Sequence, residues 1–288
     1  MKTIGRQALW SVSEDGELCE KDCMEVRMDA PYKVDNYMQL ATKVAELQYK
    51  NPDYVLLFRG QRQDFARENS DGHTYTSLSP ALFRKHDGRN PPPSILRLRF
   101  EALKRAEESL IAAYERKFPD VDRLERQEIL RWSILQHYEI CATPLLDVTH
   151  SLRIAASFAS DGAEARAFLF VLGVPNLSGS VTASAEAGIQ IVRLASVCPP
   201  NALRPHIQEG YLLGEYPELS GYERKRLYPS VEVDFGRRLL AKFEFDPEAF
   251  WGSSGYFPQV SRPALYPNKH DPLYKLAREV KGKLQRVE

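Results

Sequence analysis

The stretch YVLLFRGQ, Tyr54 to Gln61, places the tightest local constraint on how this chain folds. A run of residues with high strand propensity goes without a polar break into Arg59, Gly60 and Gln61, with Arg62 beside them. A strand that ends in a permanent cation needs an anion at its mouth. A guanidinium offers a planar fork of donors that suits phosphate or carboxylate, and glycine lets a backbone approach a ligand closely. A salt bridge from Arg59 to a buried carboxylate such as Asp147 satisfies the same requirement, and the residues alone leave both readings open.

The pattern around that strand sets the fold class. Upstream, DNYMQLATKVAELQYKN puts Tyr37, Leu40, Ala41, Val44, Ala45 and Leu47 on a helical period, with Asp35 or Asn36 as the cap. Downstream, YTSLSPALFRK reads as a loop ending in a short helix or strand, and GRNPPPS is a stiff break. Ile95 to Phe118 and Arg123 to Tyr138 read as amphipathic helices. PLLDV then reads as a strand, THS as a turn and LRIAASFA as a small-residue helix. AFLFVLGV, GIQIVRL, GYLLGEY, VEVDF and LLAKFEFD supply strands, and ALYPNKHDPLYKLAREVKGKL a loop and a C-terminal helix. Helices dominate the first half and strands the second, which predicts an α+β class. Residues 1–35 read as an N-terminal extension, a hairpin of QALWSVS and CMEVRM. Residues 36–288 form one domain with a helical insertion at about 95–138, since no linker long enough to separate two domains interrupts them.

Composition narrows the function classes. Lys+Arg and Asp+Glu both total 39, so no global basic field draws the chain to nucleic acid or an anionic membrane. No run of about 18 apolar residues is present, and acidic residues stand where a signal peptide needs an apolar stretch. A cytoplasmic location is therefore expected. Cys19, Cys23, Cys141 and Cys198 are too scattered for a disulfide framework, and Cys19 with Cys23 lacks the second pair of ligands that zinc requires, so no metal is predicted.

Three constellations carry candidate chemistry. The first is Arg59, Gly60 and Gln61. The second is LQHYEICATPLLDVTHSLRIAASFA, where Gln136, His137 and Tyr138 sit at a helix end and Asp147, Thr149, His150 and Ser151 crowd a strand end before a helix, where open amides and hydroxyls bind anions. For any single residue there the plainer role is an N-cap for Thr149 or Ser151 and a packed ring for His137. The third is RPHIQEGYLLGEY, with His206, Gln208, Glu209 and Gly210 leading into a strand. By default Glu209 is an exposed acid before a strand.

The segments LLFRGQ, SLSPALFRK, LQHYE…TPLLDVTHSLRIAASFA, IQEGY and LYPNKHDPLYKLA resemble, in order, those of the FRG domain family, over roughly residues 36 to 281. The family commonly has glycine after His-Tyr and an aromatic between Asp and Thr. Here Glu139 and Val148 stand there, and the stretch from His137 to Asp147 is a residue longer. The motif order is also similar to that of ADP-ribosyltransferases, which implies a split mixed sheet with an inserted helical segment and a C-terminal helix. It implies NAD as substrate and a transferase or NAD glycohydrolase, acting as a toxin or phage-defence effector. In that scheme Arg59 clamps the phosphates or ribose, Thr149 and Ser151 shape the nicotinamide-ribose pocket, Glu209 is the catalytic carboxylate, and Gln208 matches the glutamine of that motif. Two alternatives stand beside it: a non-catalytic module that senses a nucleotide or a partner, and a nucleotide or phosphodiester hydrolase using His137, Asp147 and His150.

Overall fold

The computed structural model describes residues 4, 7–68, 70–86, 90–218, 221–226 and 233–285. Twelve strands can be followed among them. β1 (Leu9–Val12) and β2 (Leu18–Lys21) form a hairpin, β3 (Tyr32–Lys33) follows, and β4 (Val55–Gln61) is the strand that ends in Arg-Gly-Gln. β5 (Ala66–Glu68) and β6 (Thr74–Thr76) form a second small hairpin. The others are β7 (Leu146–Thr149), β8 (Ala167–Val174), β9 (Val181–Ser184), β10 (Ile189–Arg193), β11 (Gly210–Glu215) and β12 (Leu239–Phe245). Eight of them make one sheet in the order β3-β12-β8-β4-β7-β11-β10-β9. Every pairing is antiparallel except β3 with β12, so the sheet is mixed and the class is α+β.

β4 and β8 show why their apolar runs are continuous. Side chains alternate across a strand, and each face of this sheet has its own core. On β8, Phe168, Phe170, Leu172 and Val174 enter one apolar cluster while Ala167, Leu169 and Val171 enter the other. On β4, Leu57 belongs to the first and Leu56 and Phe58 to the second. The first face is covered by the long helix Pro93–Tyr114, the helix Glu128–His137 and the C-terminal helix Pro272–Leu284. The second is covered by the helices Tyr37–Lys50 and Leu152–Ser160. Asn36 caps the former by accepting from the Gln39 amide at 2.9 Å, and Leu40, Val44 and Leu47 form its buried stripe.

Leu152–Ser160 consists largely of small residues because it lies directly on β4. A Cβ placed on Gly60 would stand 1.9 Å from the Ala155 carbonyl oxygen and 2.7 Å from the Ala159 amide. Gly60 therefore makes room for this helix. Since successive side chains alternate, Arg59 and Gln61 project from the opposite face.

Three elements differ from the sequence expectation. CMEVRM is the helix Cys23–Met28, because Asp22 and Glu25 form a reciprocal capping box; the hairpin partner of β1 is β2 instead. The helix expected over Arg123 to Tyr138 is broken at Gln127 into Val121–Arg126 and Glu128–His137. Of VEVDF, positions 231 and 232 lie outside the described residues, and Asp234 leads into a 3-10 turn over Phe235–Arg238 by accepting from the Gly236 amide. Residues ahead of position 36 also join the main fold, with Ile4, Val12 and Val34 buried in the second core and β3 on the sheet edge.

Candidate functional site

β4 and β7 meet at a single register position, Phe58 opposite Thr149, whereas β4 pairs with β8 along its whole length. At the parting of β4 and β7 lies a cleft of about 1300 Å³. Arg59 and Gln61 of β4, Asp147 and Thr149 of β7, and Gln136 and His137 from the end of Glu128–His137 line it, together with Arg84, Glu139, Arg204, Gln208 and Tyr266.

Asp147 is the centre of this group. Its Oδ2 accepts from Gln136 Nε2 at 2.5 Å and its Oδ1 lies 3.7 Å from His137 Nδ1. The Gln136 amide is oriented by Thr143, whose hydroxyl donates to Gln136 Oε1 at 2.6 Å while accepting from the Leu145 amide at 3.2 Å. Burial alone would raise the Asp147 pKa, but the neighbouring His137, the Gln136 hydrogen bond and the Arg59 charge outweigh it and leave the value below normal. Asp147 is thus an ionised carboxylate with 40% of its side chain exposed. His137 is shifted downward by burial, with Asp147 opposing and Arg204 assisting, so the ring is neutral at pH 7. It is 3% exposed, and its Nε2 has no hydrogen-bond partner among the described residues.

Arg59 Nη1 donates to the backbone carbonyl of Asp147 at 2.6 Å, which ties β4 to β7 where their ladder has almost run out. Its partner on Asp147 is the main chain, not the carboxylate. With the Gln61 amide oxygen turned toward it, that oxygen accepts from Arg59 Nε at 3.0 Å and Nη2 at 3.2 Å. Burial lowers the Arg59 pKa to about 10, with Asp147 opposing and Arg84 adding to the shift, so it remains a cation at neutral pH.

Other expected residues have structural engagements. The Thr149 hydroxyl donates to the carbonyls of Gln208 at 2.7 Å and Glu209 at 3.2 Å and accepts from the Ser151 amide at 3.0 Å, so it fastens β7 to the turn entering β11. Ser151 begins the helix Leu152–Ser160 without a side-chain cap bond and is not among the residues lining the cleft. Tyr138 is buried, and its hydroxyl donates to Asp271 Oδ2 at 2.9 Å. Gln208 is 5% exposed and lines the cleft, but its amide donates to the Leu265 carbonyl at 2.7 Å. Glu209 is exposed, lies outside the cleft lining and takes a left-handed backbone with φ 44° as the chain reverses into β11. His150 and His206 are also exposed and outside it.

Residues the motifs did not single out complete the site. Arg84, from SLSPALFRK, is an additional cation of the cleft wall. Arg204, within RPHIQEGY, is 6% exposed and donates from Nη2 to Glu139 Oε1 at 2.7 Å, with its guanidinium over the rings of Tyr138 and Tyr266 at 5.6 and 4.9 Å. Glu139 has φ 55°, in the region that favours glycine. The departure from the family's Gly was the available signal. Asp271 is fully buried and accepts four hydrogen bonds, from Tyr138 Oη, the Arg204 amide and the amides of Leu273 and Tyr274. It caps the C-terminal helix and locks it to the back of the cleft.

A family model described as the FRG domain matches residues 55–167, from the first residue of β4 to the first of β8. The matched segment contributes Arg59, Gln136, His137, Asp147 and Thr149 to the cleft. No curated protein and no solved structure matches the chain. Among the described residues, no group of three or more His, Cys, Asp or Glu is placed to hold a metal ion, and no helix is long and apolar enough to cross a membrane.

Proposed function

We propose that the cleft binds a phosphate-bearing nucleotide, with NAD as the dinucleotide, and that the protein transfers or hydrolyses its ADP-ribose unit. The observation that carries this reading is the gathering of Arg59, Arg84 and Arg204 with an ionised, half-exposed Asp147 in one cleft. Guanidinium groups suit phosphate oxygens. A carboxylate suits the oxocarbenium that develops as the bond from ribose C1′ to nicotinamide nitrogen breaks. Nicotinamide leaves with the bonding electrons, and water or an acceptor nucleophile forms the new bond to C1′ and gives up a proton. Because Glu209 lies outside the cleft lining, the carboxylate role passes to Asp147, held by Gln136. Depletion of NAD is toxic to a cell, which fits a toxin or defence effector.

The test is nicotinamide release from NAD by the purified chain, followed for wild type, Asp147→Asn and Glu209→Gln. The expected result is release that Asp147→Asn abolishes and Glu209→Gln leaves within about twofold. Saturable NAD binding without any release favours a nucleotide-sensing module, a reading supported by the engaged amide of Gln208 and the position of Glu209. Absence of both binding and release overturns the proposal. The hydrolase reading with His137, Asp147 and His150 has less support, because His150 lies outside the cleft.

A further inference from the structure

Arg204 differs from the other arginines of the cleft in how completely it is enclosed. Its side chain is 8% exposed, it is stacked against Tyr138 and Tyr266, and its Nε has no hydrogen-bond partner among the described residues. A buried guanidinium with an unpaired N–H carries a desolvation cost that a further acceptor would relieve. The charged partner it does have is the carboxylate of Glu139, a side chain 67% exposed to solvent. An ion pair with one such exposed member is weak and readily exchanged.

Glu139 is also held there against its backbone preference. With φ 55° it adopts a left-handed conformation that disfavours a residue carrying a Cβ. Its own amide donates to the Gln136 carbonyl at 3.0 Å, and its carbonyl accepts from Lys281 Nζ at 2.8 Å, so the main chain is fixed on both sides. The side chain is thus presented to Arg204 by a rigid turn while remaining free to swing into solvent.

We propose that Arg204 forms a second oxyanion subsite, selecting ligands with two phosphate groups, and that Glu139 is a built-in carboxylate that occupies it until a phosphate displaces it. The inference rests on the anion-binding reading of the same cleft and not on the transfer reaction. Arg59 takes one phosphate and Arg204 the other, so a diphosphate binds better than a monophosphate, and the Glu139 carboxylate competes with the ligand for Arg204.

The experiment is titration of the full chain with inorganic pyrophosphate and, separately, inorganic phosphate, followed by calorimetry for wild type, Glu139→Gly, Glu164→Gln and Glu139→Gly/Arg204→Met. Glu139→Gly removes the competing carboxylate and suits the left-handed backbone, so it folds at least as well as wild type. We expect it to tighten pyrophosphate binding about tenfold, equivalent to about 1.4 kcal/mol, with a smaller gain for phosphate. Glu164 also lines the cleft and is exposed, and Arg204 pairs with Glu139, so Glu164→Gln removes the same charge without freeing that guanidinium. It should change affinity less than about twofold if competition at Arg204 is the cause. The double variant, checked for folding by circular dichroism, should lose the gain. Equal effects of Glu139→Gly and Glu164→Gln, or a gain that survives loss of Arg204, overturn the proposal. If pyrophosphate binds as expected and NAD releases no nicotinamide, the subsite stands and the transferase reading falls.

Discussion

Arg27 and Arg59 are both held beside carboxylate-bearing residues, and the comparison separates a structural arginine from one available to a ligand. Arg27 is 4% exposed; its Nη2 pairs with Asp234, its Nε donates to the Thr76 carbonyl at 2.8 Å, and its guanidinium lies 4.4 Å from the centre of the Tyr75 ring. Asp234 in turn accepts from the Leu78 and Gly236 amides at 2.8 and 2.9 Å. Lys242 closes the network by donating to the Arg27 carbonyl and the Thr76 hydroxyl, both at 3.0 Å. Around Arg59 the partners are one backbone carbonyl and one neutral amide, and a cleft lies in front. A ligand has no means of entering the first group, whereas in the second it would compete only with a glutamine and a carbonyl.

The contrast breaks most sharply at Asp234. Asp234→Ala leaves Arg27 buried without its anion and should cost about 3–5 kcal/mol in urea unfolding; a loss below about 1 kcal/mol would mean that the closed group is no more structural than the open one. Asp271→Ala removes the acceptor of four donors, three of them buried, and should cost about 2–3 kcal/mol while loosening the C-terminal helix, seen as faster amide exchange over residues 272–284. Arg59→Met should cost only about 1 kcal/mol, chiefly from the Asp147 carbonyl left unpaired, yet weaken pyrophosphate binding at least about tenfold. A stability loss as large as that of Asp234→Ala, with binding intact, would move Arg59 into the structural class.

The cleft should also be the acid-sensitive region. The His137 pKa lies below its ordinary 6.5, so between the two values the unfolded chain binds more protons than the folded one. Stability is therefore full above pH 6.5 and declines as pH falls through the folded value, and the lowered Asp147 pKa adds a further loss below 3.8. His137→Gln should flatten the first decline in a series of thermal melts; an unchanged slope would place that proton elsewhere. The smallest effect is expected from Glu209→Gln, below about 0.5 kcal/mol in stability. A large loss of activity in that variant would return Glu209 to the chemistry.

The parts of the fold legible in the sequence are those governed by short-range pattern. The helix Tyr37–Lys50 announces itself through Asn36 and the spacing of Leu40, Val44 and Leu47, and β8 through its unbroken apolar run. CMEVRM misleads because its apolar residues suit a strand, while the capping box between Asp22 and Glu25 decides for a helix. Motif residues from three segments, Arg59, Gln136, His137, Asp147 and Gln208, do line one cleft, but which atoms they engage is not legible in the sequence. Gly60 lines the cleft, but nothing in YVLLFRGQ reveals that Ala155 lies against it. Arg204 and Asp271 act over long sequence distances, outside the segment matched to the FRG domain, and their roles follow from burial that no local pattern encodes.

The single pairing of β4 with β7 gives Arg59 a second duty. A guanidinium has five N–H groups, and one of those on Nη1 acts as a rivet across the seam between two halves of the sheet. A ligand that drew Arg59 forward without releasing the Asp147 carbonyl would leave this link intact, whereas one that captured Nη1 would leave the seam to the Phe58–Thr149 pairing. The side chain proposed to hold a ligand is thus also one that links two strands of the sheet.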